Sequence, residues 1–588
     1  MGADGWVTLV VLLVAIVLMV LDIVAPVSAI LGATIFLYVA HVIDASQAFS
    51  GFSNPAPLTI TVLYILAAAA SRSGAFQPLV NKTLSPQAGD RTNLARLLPP
   101  VSLSSSVLNN TPIVAVLVPE IQAWARRHGR KVPRLLMPIS FAAILGGTIT
   151  VIGTSTNLIV SGLLEASGQE PLGFFELAPL GIPMVIGGLA FLIFLAPTVL
   201  DRTAAHNKHP AELPREWVID LAVRSGESLD GVTVADSGLN DLARVSLVRV
   251  DTADTSFEPP DPSHALQAGD VMRFVGNIHD VSDLLSQPGV STTEVDLLNF
   301  TGGQAVFYEA VIGPSSRLVG GTTLESGLRS RYRAAMLAIH RPTSRVTARL
   351  ADVVFEPGDK LVIVAPPEFN ERWRDRRDFL LVSPLTASPP PVIRHRVTVI
   401  AILAAVVIVA GFGWLSILRA ALIGAAAVMA LGIITARQVA RSIDIGVVVL
   451  VASGFGLGEA MQTSGLAGVI ADGMTSALGS LGDIGTLGAV VLLTILLTES
   501  ISNTAAALIV FPVATAAATS LGLNPKGFAV AVALAASASF LTPVGYQTNA
   551  MVQAPGGYRF RDYTRLGFPL TIMVFVIIMI GVPIVWPL

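Results

Sequence analysis

Two short polar clusters interrupt apolar sequence in the first half of this chain, and counterparts of both recur in the second half. Leu108-Asn109-Asn110-Thr111-Pro112 is followed by Gly153-Thr154-Ser155-Thr156-Asn157, and Ile501-Ser502-Asn503-Thr504-Ala505 is followed by Gly545-Tyr546-Gln547-Thr548-Asn549. Asn503 stands 393 positions after Asn110, and Asn549 stands 392 after Asn157. Asn amides and Ser/Thr hydroxyls both donate and accept hydrogen bonds, so they can hold an oxyanion without a buried counter-charge. Side-chain oxygens and carbonyls of unwound backbone suit a hard cation such as Na+, while the N-termini of half-helices favour an anion. No cluster contains Lys or Arg; a neutral site made anion-competent by bound Na+ or by helix dipoles accounts for that. Any single Ser or Thr here has an ordinary alternative, bonding to its own helix. Four clusters placed symmetrically favour the other reading, a midplane binding site in a transporter.

The elements that must position these residues are membrane helices. The chain has 588 residues, 53% hydrophobic and 13% charged, with a mean hydropathy of +0.69. Soluble domains carry about 25% charged residues. A net charge of −3 leaves no footprint for nucleic acid, and the absence of cysteine excludes disulfides and thiolate chemistry. Apolar runs of the length a bilayer requires cover about 6–24, 27–43, 57–71, 134–165 and 179–200, and then 397–414, 416–435, 443–460, 525–553 and 566–587. The run from Trp6 to Leu21 has no basic residue before it and no small-residue cleavage site, so it reads as a first transmembrane helix rather than a signal peptide. Two more stretches, about 97–119 and 486–519, are apolar but broken by Asn109-Asn110-Thr111 and Ser502-Asn503-Thr504. A straight span would leave those polar groups in hydrocarbon; a re-entrant hairpin lets them line a cavity.

Charge placement supports the hairpins. Arg72, Lys82, Arg91 and Arg96 precede the first, and Arg126, Arg127, Arg130, Lys131 and Arg134 follow it, so both its ends are expected in the cytoplasm. Counting outward puts Arg202, Arg394, Arg396, Arg437, Arg441, Arg559, Arg561 and Arg565 on the same side. The second hairpin then opens to the outside. The halves come out oppositely oriented, an inverted repeat, with the N-terminus outside and the protein in the cell membrane. Pro119 and Pro512 keep the 393 shift, and Phe174 with Gly181-Ile182-Pro183 matches Phe560 with Gly567-Phe568-Pro569 at 386.

Between about 205 and 392 charged residues become dense and long apolar runs vanish. Gly231 and Gly320, Gly238-Leu239 and Gly327-Leu328, and Gly269-Asp270 and Gly358-Asp359 all differ by 89 positions. Each copy reads as strand, Gly turn, short helix, strand, then a Gly-Asp turn into a last strand, with Arg244–Val250 and Lys360–Val364 as examples. The pattern resembles two tandem TrkA-C (RCK C-terminal) domains over most of 217–276 and 305–366. That resemblance implies binding of a small-molecule ligand or pairing between copies; a structural cap on the cytoplasmic face is the plainer alternative. The expected organisation is a polytopic α-helical membrane protein: membrane repeat 1 over 1–204, TrkA-C-like domains over 205–300 and 301–392 as a cytoplasmic α+β insert, and membrane repeat 2 over 393–588.

The membrane halves resemble the divalent anion/sodium symporter family, which carries Ser-Asn-Thr at two opposed hairpin tips and unwound loops in the helices that follow. Ser502-Asn503-Thr504 matches in full, while Asn109-Asn110-Thr111 departs at its first residue, where an amide replaces a hydroxyl. Gly153–Asn157 and Thr542-Pro543-Val544-Gly545 through Thr548 and Asn549 correspond to the unwound loops. The inserted TrkA-C pair resembles the sulfate-permease-like branch. The resemblance implies two Na+ sites flanking one substrate, with Asn110, Asn157, Asn503 and Asn549 as candidate Na+ ligands, a homodimer in the bilayer, and elevator-type movement of one domain. It also implies no covalent cofactor.

Among ionisable residues, Glu499 lies three positions before the second Ser-Asn-Thr and is a candidate for proton coupling; hydration near a helix end is its plainer reading. Asp22 and Asp444 fall at predicted helix ends and are expected at an interface. The leading expectation is ion-coupled symport of an inorganic oxyanion, sulfate first, driven by Na+ or H+, with no enzymatic activity. Dicarboxylate symport and metalloid oxyanion export are the alternatives within the wider superfamily. An anion sensor and a potassium transport protein are more distant ones: Val544-Gly545-Tyr546 occurs once, whereas a potassium filter needs four such loops.

Overall fold

Two compact units make up the chain, residues 1–207 with 391–588, and residues 208–390. The computed structural model describes residues 1–200, 217–276, 290–292, 306–384 and 395–587, with short gaps inside these ranges. Arg202, Gly238 and Arg394, and the expected boundaries near 205, 300 and 392, lie outside the described residues.

The first unit is helical and built twice. Its amino-terminal half carries α1 (Ala3–Val20), α2 (Pro26–Val39), α3 (Ala45–Ala48), α4 (Pro55–Arg72), α5 (Gln77–Thr83), α6 (Asp90–Ser105), α7 (Asn110–Arg127), α8 (Pro133–Gly146), α9 (Ser155–Ala166) and α10 (Ala178–Val199). Its carboxy-terminal half carries α11 (Arg396–Gly411), α12 (Ile417–Ala430), α13 (Ala436–Ser442), α14 (Ile445–Thr463), α15 (Leu466–Leu478), α16 (Gly482–Thr498), α17 (Asn503–Ser520), α18 (Pro525–Ser537), α19 (Gln547–Gly556) and α20 (Phe560–Val585). The halves correspond element by element, even at small detail. Asp44 and Thr435, 391 positions apart, open α3 and α13 with capping boxes completed by Gln47 and Gln438.

Packing obeys the same correspondence. Helix α2 packs on α14 as α12 packs on α4, and α9 packs on α17 and α18 as α19 packs on α7 and α8. Each half thus lodges the helix after its unwound segment against the other half. Among the described residues, α1, α4, α10, α14, α17 and α20 are long and apolar enough to cross a membrane. The protein is a polytopic membrane protein, and apolar side chains with more than half of their surface exposed, Val10 and Leu13 on α1, Ile186 and Phe194 on α10, and Ile580 and Ile584 on α20, are what lipid would cover.

The helices depart from the apolar runs at five places. The runs over 134–165 and 525–553 each divide into two helices, α8/α9 and α18/α19, around the non-helical segments 147–154 and 538–546. Glycine is required in both breaks: a Cβ on Gly153 would lie 2.5 Å from the Gly147 carbonyl oxygen, and one on Gly545 would lie 2.1 Å from Ser539 Oγ. The stretches at 97–119 and 486–519 are the helix pairs α6/α7 and α16/α17, each joined by four residues, 106–109 and 499–502. Their arms run wider than the apolar stretches because the polar turns at Asp90 and Asp483 are helical too. Helix α15 has no counterpart among the runs: it buries Leu466, Ala467 and Ala471 and exposes Val469, so its apolar face is one stripe.

The second unit is one antiparallel sheet: β1 (Trp217–Val223), β2 (Val245–Asp251), β3 (Ser256–Phe257), β4 (Val271–Gly276), β5 (Val290–Thr292), β6 (Val306–Ile312), β7 (Ala335–His340), β8 (Lys360–Ala365) and β9 (Phe379–Pro384). Their order is β3-β2-β4-β1-β7-β8-β6-β9, with β5 also on β1. The 89-residue shift maps β1 onto β6, β4 onto β8 and β5 onto β9, strand start to strand start. It also has a backbone cause. Gly231 and Gly320 have φ of +87° and +84°, and Gly269 and Gly358 have +96° and +89°, a region that side chains other than glycine avoid. Asp270 and Asp359 then accept the N–H of Gln267 and Glu356 at 2.9 and 2.8 Å, closing each turn. In the second copy the short helix expected after the first Gly turn is instead turns at 317–320 and 325–332, because left-handed Gly320 and Gly327 cannot continue a right-handed helix, while its counterpart in the first copy lies partly outside the described residues.

The copies meet through β1 and β7, paired at Val218–Ile339 and Ile219–Ala338. Strands β7 and β8 have both faces covered: Leu337, Val362 and Val364 join the first copy's core, and Met336, Leu361 and Ile363 join the second's. A buried ion pair reinforces the junction, with Arg273 Nε and Nη2 donating to Asp220 Oδ1 and Oδ2 at 2.8 and 2.9 Å, and Leu350 N reaching the same carboxylate at 3.0 Å. Asp220→Ala leaves that guanidinium buried without this carboxylate and is expected to destabilise the insert by about 3–5 kcal/mol. Pulse proteolysis of the full chain in urea should then cleave the insert at lower denaturant, and an unchanged midpoint would refute the assignment.

Candidate functional site

All four polar clusters open helices. Asn110 begins α7, Ser155 begins α9, Asn503 begins α17 and Gln547 begins α19. Thr154 caps α9 by accepting Asn157 N at 3.3 Å, and Ser502 caps α17 by accepting Ala505 N at 3.3 Å. The clusters come together on one cavity of about 330 Å³. Asn109 and Thr111, Ser155 and Thr156, Ser502, Asn503 and Thr504, and Gly545 line it. Pro26 and Val27 at the start of α2, and Asp444, Gly446 and Val447 at the start of α14, complete the wall with Tyr64, Tyr546 and Gln547. The first turns of six helices therefore face one space, and each brings the positive end of its dipole. Asp444 is the one charged residue on that wall, and no lysine or arginine lines it among the described residues.

The remaining expected residues, Asn110, Gly153, Thr154, Asn157, Glu499, Thr542, Pro543, Thr548 and Asn549, stand behind the wall and hold it. Asn157 Nδ2 donates to the Gly147 and Thr150 carbonyls at 3.1 and 2.9 Å, and Asn549 Nδ2 to the Ser539 and Thr542 carbonyls at 3.0 and 3.3 Å. These acceptors correspond at the 392 shift, so each loop is closed by its own asparagine in the same way. Across the halves, Ser537 Oγ lies 3.4 Å from Asn157 Oδ1, and Ser140 Oγ lies 2.7 Å from Asn549 Oδ1 and 2.9 Å from Thr548 Oγ1. Thr154 reaches Ser537 at 3.2 Å. Gly153 and Gly545 let the loops turn, and Pro543 is buried beneath the second.

The tips are matched as well. Ser105 Oγ bonds Asn110 Oδ1, and Thr498 Oγ1 lies 2.8 Å from Asn503 Oδ1 and 2.6 Å from the Ala536 carbonyl. One hydroxyl proton cannot serve both acceptors, so three neutral oxygens cluster at the second tip, a donor set that fits a hard monovalent cation. Asn110 Nδ2 donates to Tyr546 Oη at 2.8 Å across the halves. Asn503 Nδ2 is different: it is buried and has no partner among the described residues. Asn503 lines the cavity while its amide donor, enclosed just behind the surface, is left without an acceptor, which costs free energy until one is supplied. Glu499 has its carboxylate filled by backbone, Oε1 accepting Phe540 N and Leu541 N at 2.7 and 2.8 Å and Oε2 accepting Thr542 N at 2.9 Å.

Sequence reasoning missed Ser105, Thr498, Ser140, Ser537, Tyr546, Gln547 and the position of Asp444 on the cavity. Ser105 and Thr498 were findable, since both are hydroxyls and they keep the 393 shift. Ser140 and Ser537 were not, because they do equivalent work from non-equivalent positions.

A family model described as citrate transporter matches residues 10–533 and 485–587. The chain belongs to the citrate transporter family. It is a transporter, not an enzyme, and the expected kinship with anion/sodium symporters holds. An uncharacterised transporter of Synechocystis is 33% identical over 96% of this chain and 94% of its own length. A Chlamydomonas reinhardtii protein whose name proposes a role in regulating the sulfur deprivation response is 32% identical over 94% of this chain and 96% of its own. Sodium/sulfate cotransporter 1 of the same alga is 23% identical over 91% of this chain and 84% of its own.

Tyr546→Phe removes the acceptor that fixes Asn110 across the halves. One such bond is worth about 1 kcal/mol, so the half-saturating substrate concentration in uptake assays should rise about fivefold with folded yield unchanged. Wild-type half-saturation would show that Asn110 is held by other means.

Proposed function

We propose that this protein is a secondary active transporter that carries an inorganic oxyanion, sulfate, into the cell together with Na+. One observation carries the reading: six helix N-termini surround a cavity that Asn503, its amide donor unpartnered among the described residues, helps to line, with no basic side chain on its wall among those residues. Dipole ends and neutral donors attract an anion, while the oxygen cluster of Thr498, Asn503 and Ala536, and its counterpart at Ser105 and Asn110, suits Na+. The names of the algal relatives, sodium/sulfate cotransporters, point to the same pair of ions.

In this reading the helix pairs α6/α7 and α16/α17 are re-entrant hairpins entering from opposite sides, and the unit that carries the tips and loops moves as an elevator within a homodimer. The insert is a cytoplasmic pair of TrkA-C-like domains that regulates transport. Its internal duplication and the 89-residue glycine register support that identity. A second reading, an anion sensor derived from a transporter, is favoured by the relative named for the sulfur deprivation response.

Purified protein in proteoliposomes should accumulate labelled sulfate under an inward Na+ gradient, less under a proton gradient alone, and excess citrate or succinate should compete poorly. Asn503→Ala should lower uptake at least about tenfold, the cost of one hydrogen bond to a charged group, while leaving expression intact. Sulfate binding without uptake under either gradient would favour the sensor; absence of both binding and uptake overturns the proposal.

A further inference from the structure

We infer that Glu499 is a positioning residue whose carboxylate clamps the unwound segment 538–546 onto the second tip, so that tip and loop grip a cation as one body. The inference rests on the Na+-coupled reading above and departs from proton coupling, the role its sequence position invites.

The repeat supplies an internal control. The counterpart of Glu499 at the 393 shift is Ser106, and the counterpart of Thr542 at the 392 shift is Thr150. One link is common to both halves: Thr150 Oγ1 donates to the Ser106 carbonyl, and Thr542 Oγ1 donates to the Glu499 carbonyl at 3.1 Å. The loop N–H groups are treated differently. In the first half, Thr148 N and Ile149 N donate to the Leu145 and Gly146 carbonyls at 3.1 and 3.2 Å, an ordinary end to a helix. In the second half, their counterparts Phe540 N and Leu541 N leave helix α18 and bond the Glu499 carboxylate, joined by Thr542 N. Among the described residues, no backbone N–H reaches the carbonyls of Ser537 and Ala538, the counterparts of Leu145 and Gly146.

A side chain of the tip has thus replaced the helix as acceptor for the loop. The three N–H groups converge on the two oxygens of one carboxylate, an all-donor surrounding that matches the ionised form, which accepts without donating. The clamp also adjoins the residue whose hydroxyl belongs to the oxygen cluster, since Glu499 follows Thr498 in the chain. The point that a Gly545 side chain would occupy is 2.8 Å from the Thr498 carbonyl oxygen and 3.2 Å from Glu499 Oε2. The second tip therefore carries a fixed negative charge beside its oxygen cluster, and the first tip, with Ser106, does not.

The chain has no cysteine, so Val544→Cys, at a loop position with 70% of its surface exposed, gives a single reporter thiol. Its rate of labelling by a soluble maleimide, with and without Na+, should rise at least about fivefold when Glu499→Gln is added. In uptake assays on proteoliposomes, Glu499→Gln should raise the half-saturating Na+ about tenfold, move the sulfate KM at saturating Na+ less than twofold, and leave the pH profile in place. Glu499→Asp, one methylene shorter, should fall between, and it decides the matter if Glu499→Gln yields no monodisperse protein. Unchanged labelling overturns the clamp, as does a flattened pH profile with unchanged Na+ dependence, which marks a proton carrier. If the wild type transports no sulfate, the proposed function fails, while the labelling comparison still decides the clamp.

Discussion

Backbone that leaves a helix inside apolar protein strands N–H and C=O groups, and unpaired groups of that kind cost several kcal/mol each in hydrocarbon. The candidate site exists because two asparagines meet that constraint. Asn157 and Asn549 each span two carbonyls of the loop before them, which lets α8 and α18 stop short and α9 and α19 begin again. The restart matters as much as the stop, since it supplies two helix N-termini that a continuous span would not have. Both asparagines are fully buried, and their remaining amide oxygens face Ser537 and Ser140 from the opposite half. The bonds that make each break tolerable therefore also join the repeats.

Duplication makes the departures from symmetry informative. A repeat that conserves Ser105/Thr498, Asn110/Asn503, Gly153/Gly545 and Asn157/Asn549 conserves the oxygens and the breaks. Where it differs, charge and reach differ. Asn109 stands where Ser502 caps α17, so the first tip offers a longer amide whose oxygen lies 3.4 Å from Thr111 N. Ser106 stands where Glu499 gathers three loop N–H groups. Both differences bear on the tips, and neither touches the loop-closing asparagines. The scaffold of the site is thus common to the halves, and its ion preference is free to differ between them.

The clusters, their register and the two breaks were legible because each depends on residue type at a fixed spacing, and Asn, Thr and Gly stand out in apolar sequence. The 89-residue register of the insert was legible for a similar reason: left-handed backbone at Gly231, Gly269, Gly320 and Gly358 demands glycine. What escaped was whatever depends on tertiary approach. Helix α15 hid because its apolar sequence is short, 13 residues interrupted by Asp472, and falls below the length a bilayer span requires. Ser140 and Ser537 hid because hydroxyls on buried helices usually bond their own backbone, as Ser537 also does to Ala533 at 2.8 Å. Asp444 read as a helix-end residue, and it is one, capping α14 through Val447 N at 3.2 Å. Only the packing of α14 beside the tips turns that cap toward the cavity.

Asp444 sharpens the electrostatic logic of the proposed function. Each helix N-terminus contributes about half a positive charge, spread over the wall and opposed by one full negative charge at Asp444. In the proposed function a dianion entering that space meets donors and partial charges but no full cationic side chain among the described residues, and ions bound with it supply that charge. A lysine or arginine in the wall would remove that requirement and let the anion bind alone, and an anion that binds alone can leak down its own gradient. In the proposed function, neutral amides and hydroxyls, with the Asp444 carboxylate on the same wall, leave the full positive charge to cations bound with the anion, and the absence of basic residues from all four clusters ties occupancy by the one to occupancy by the other.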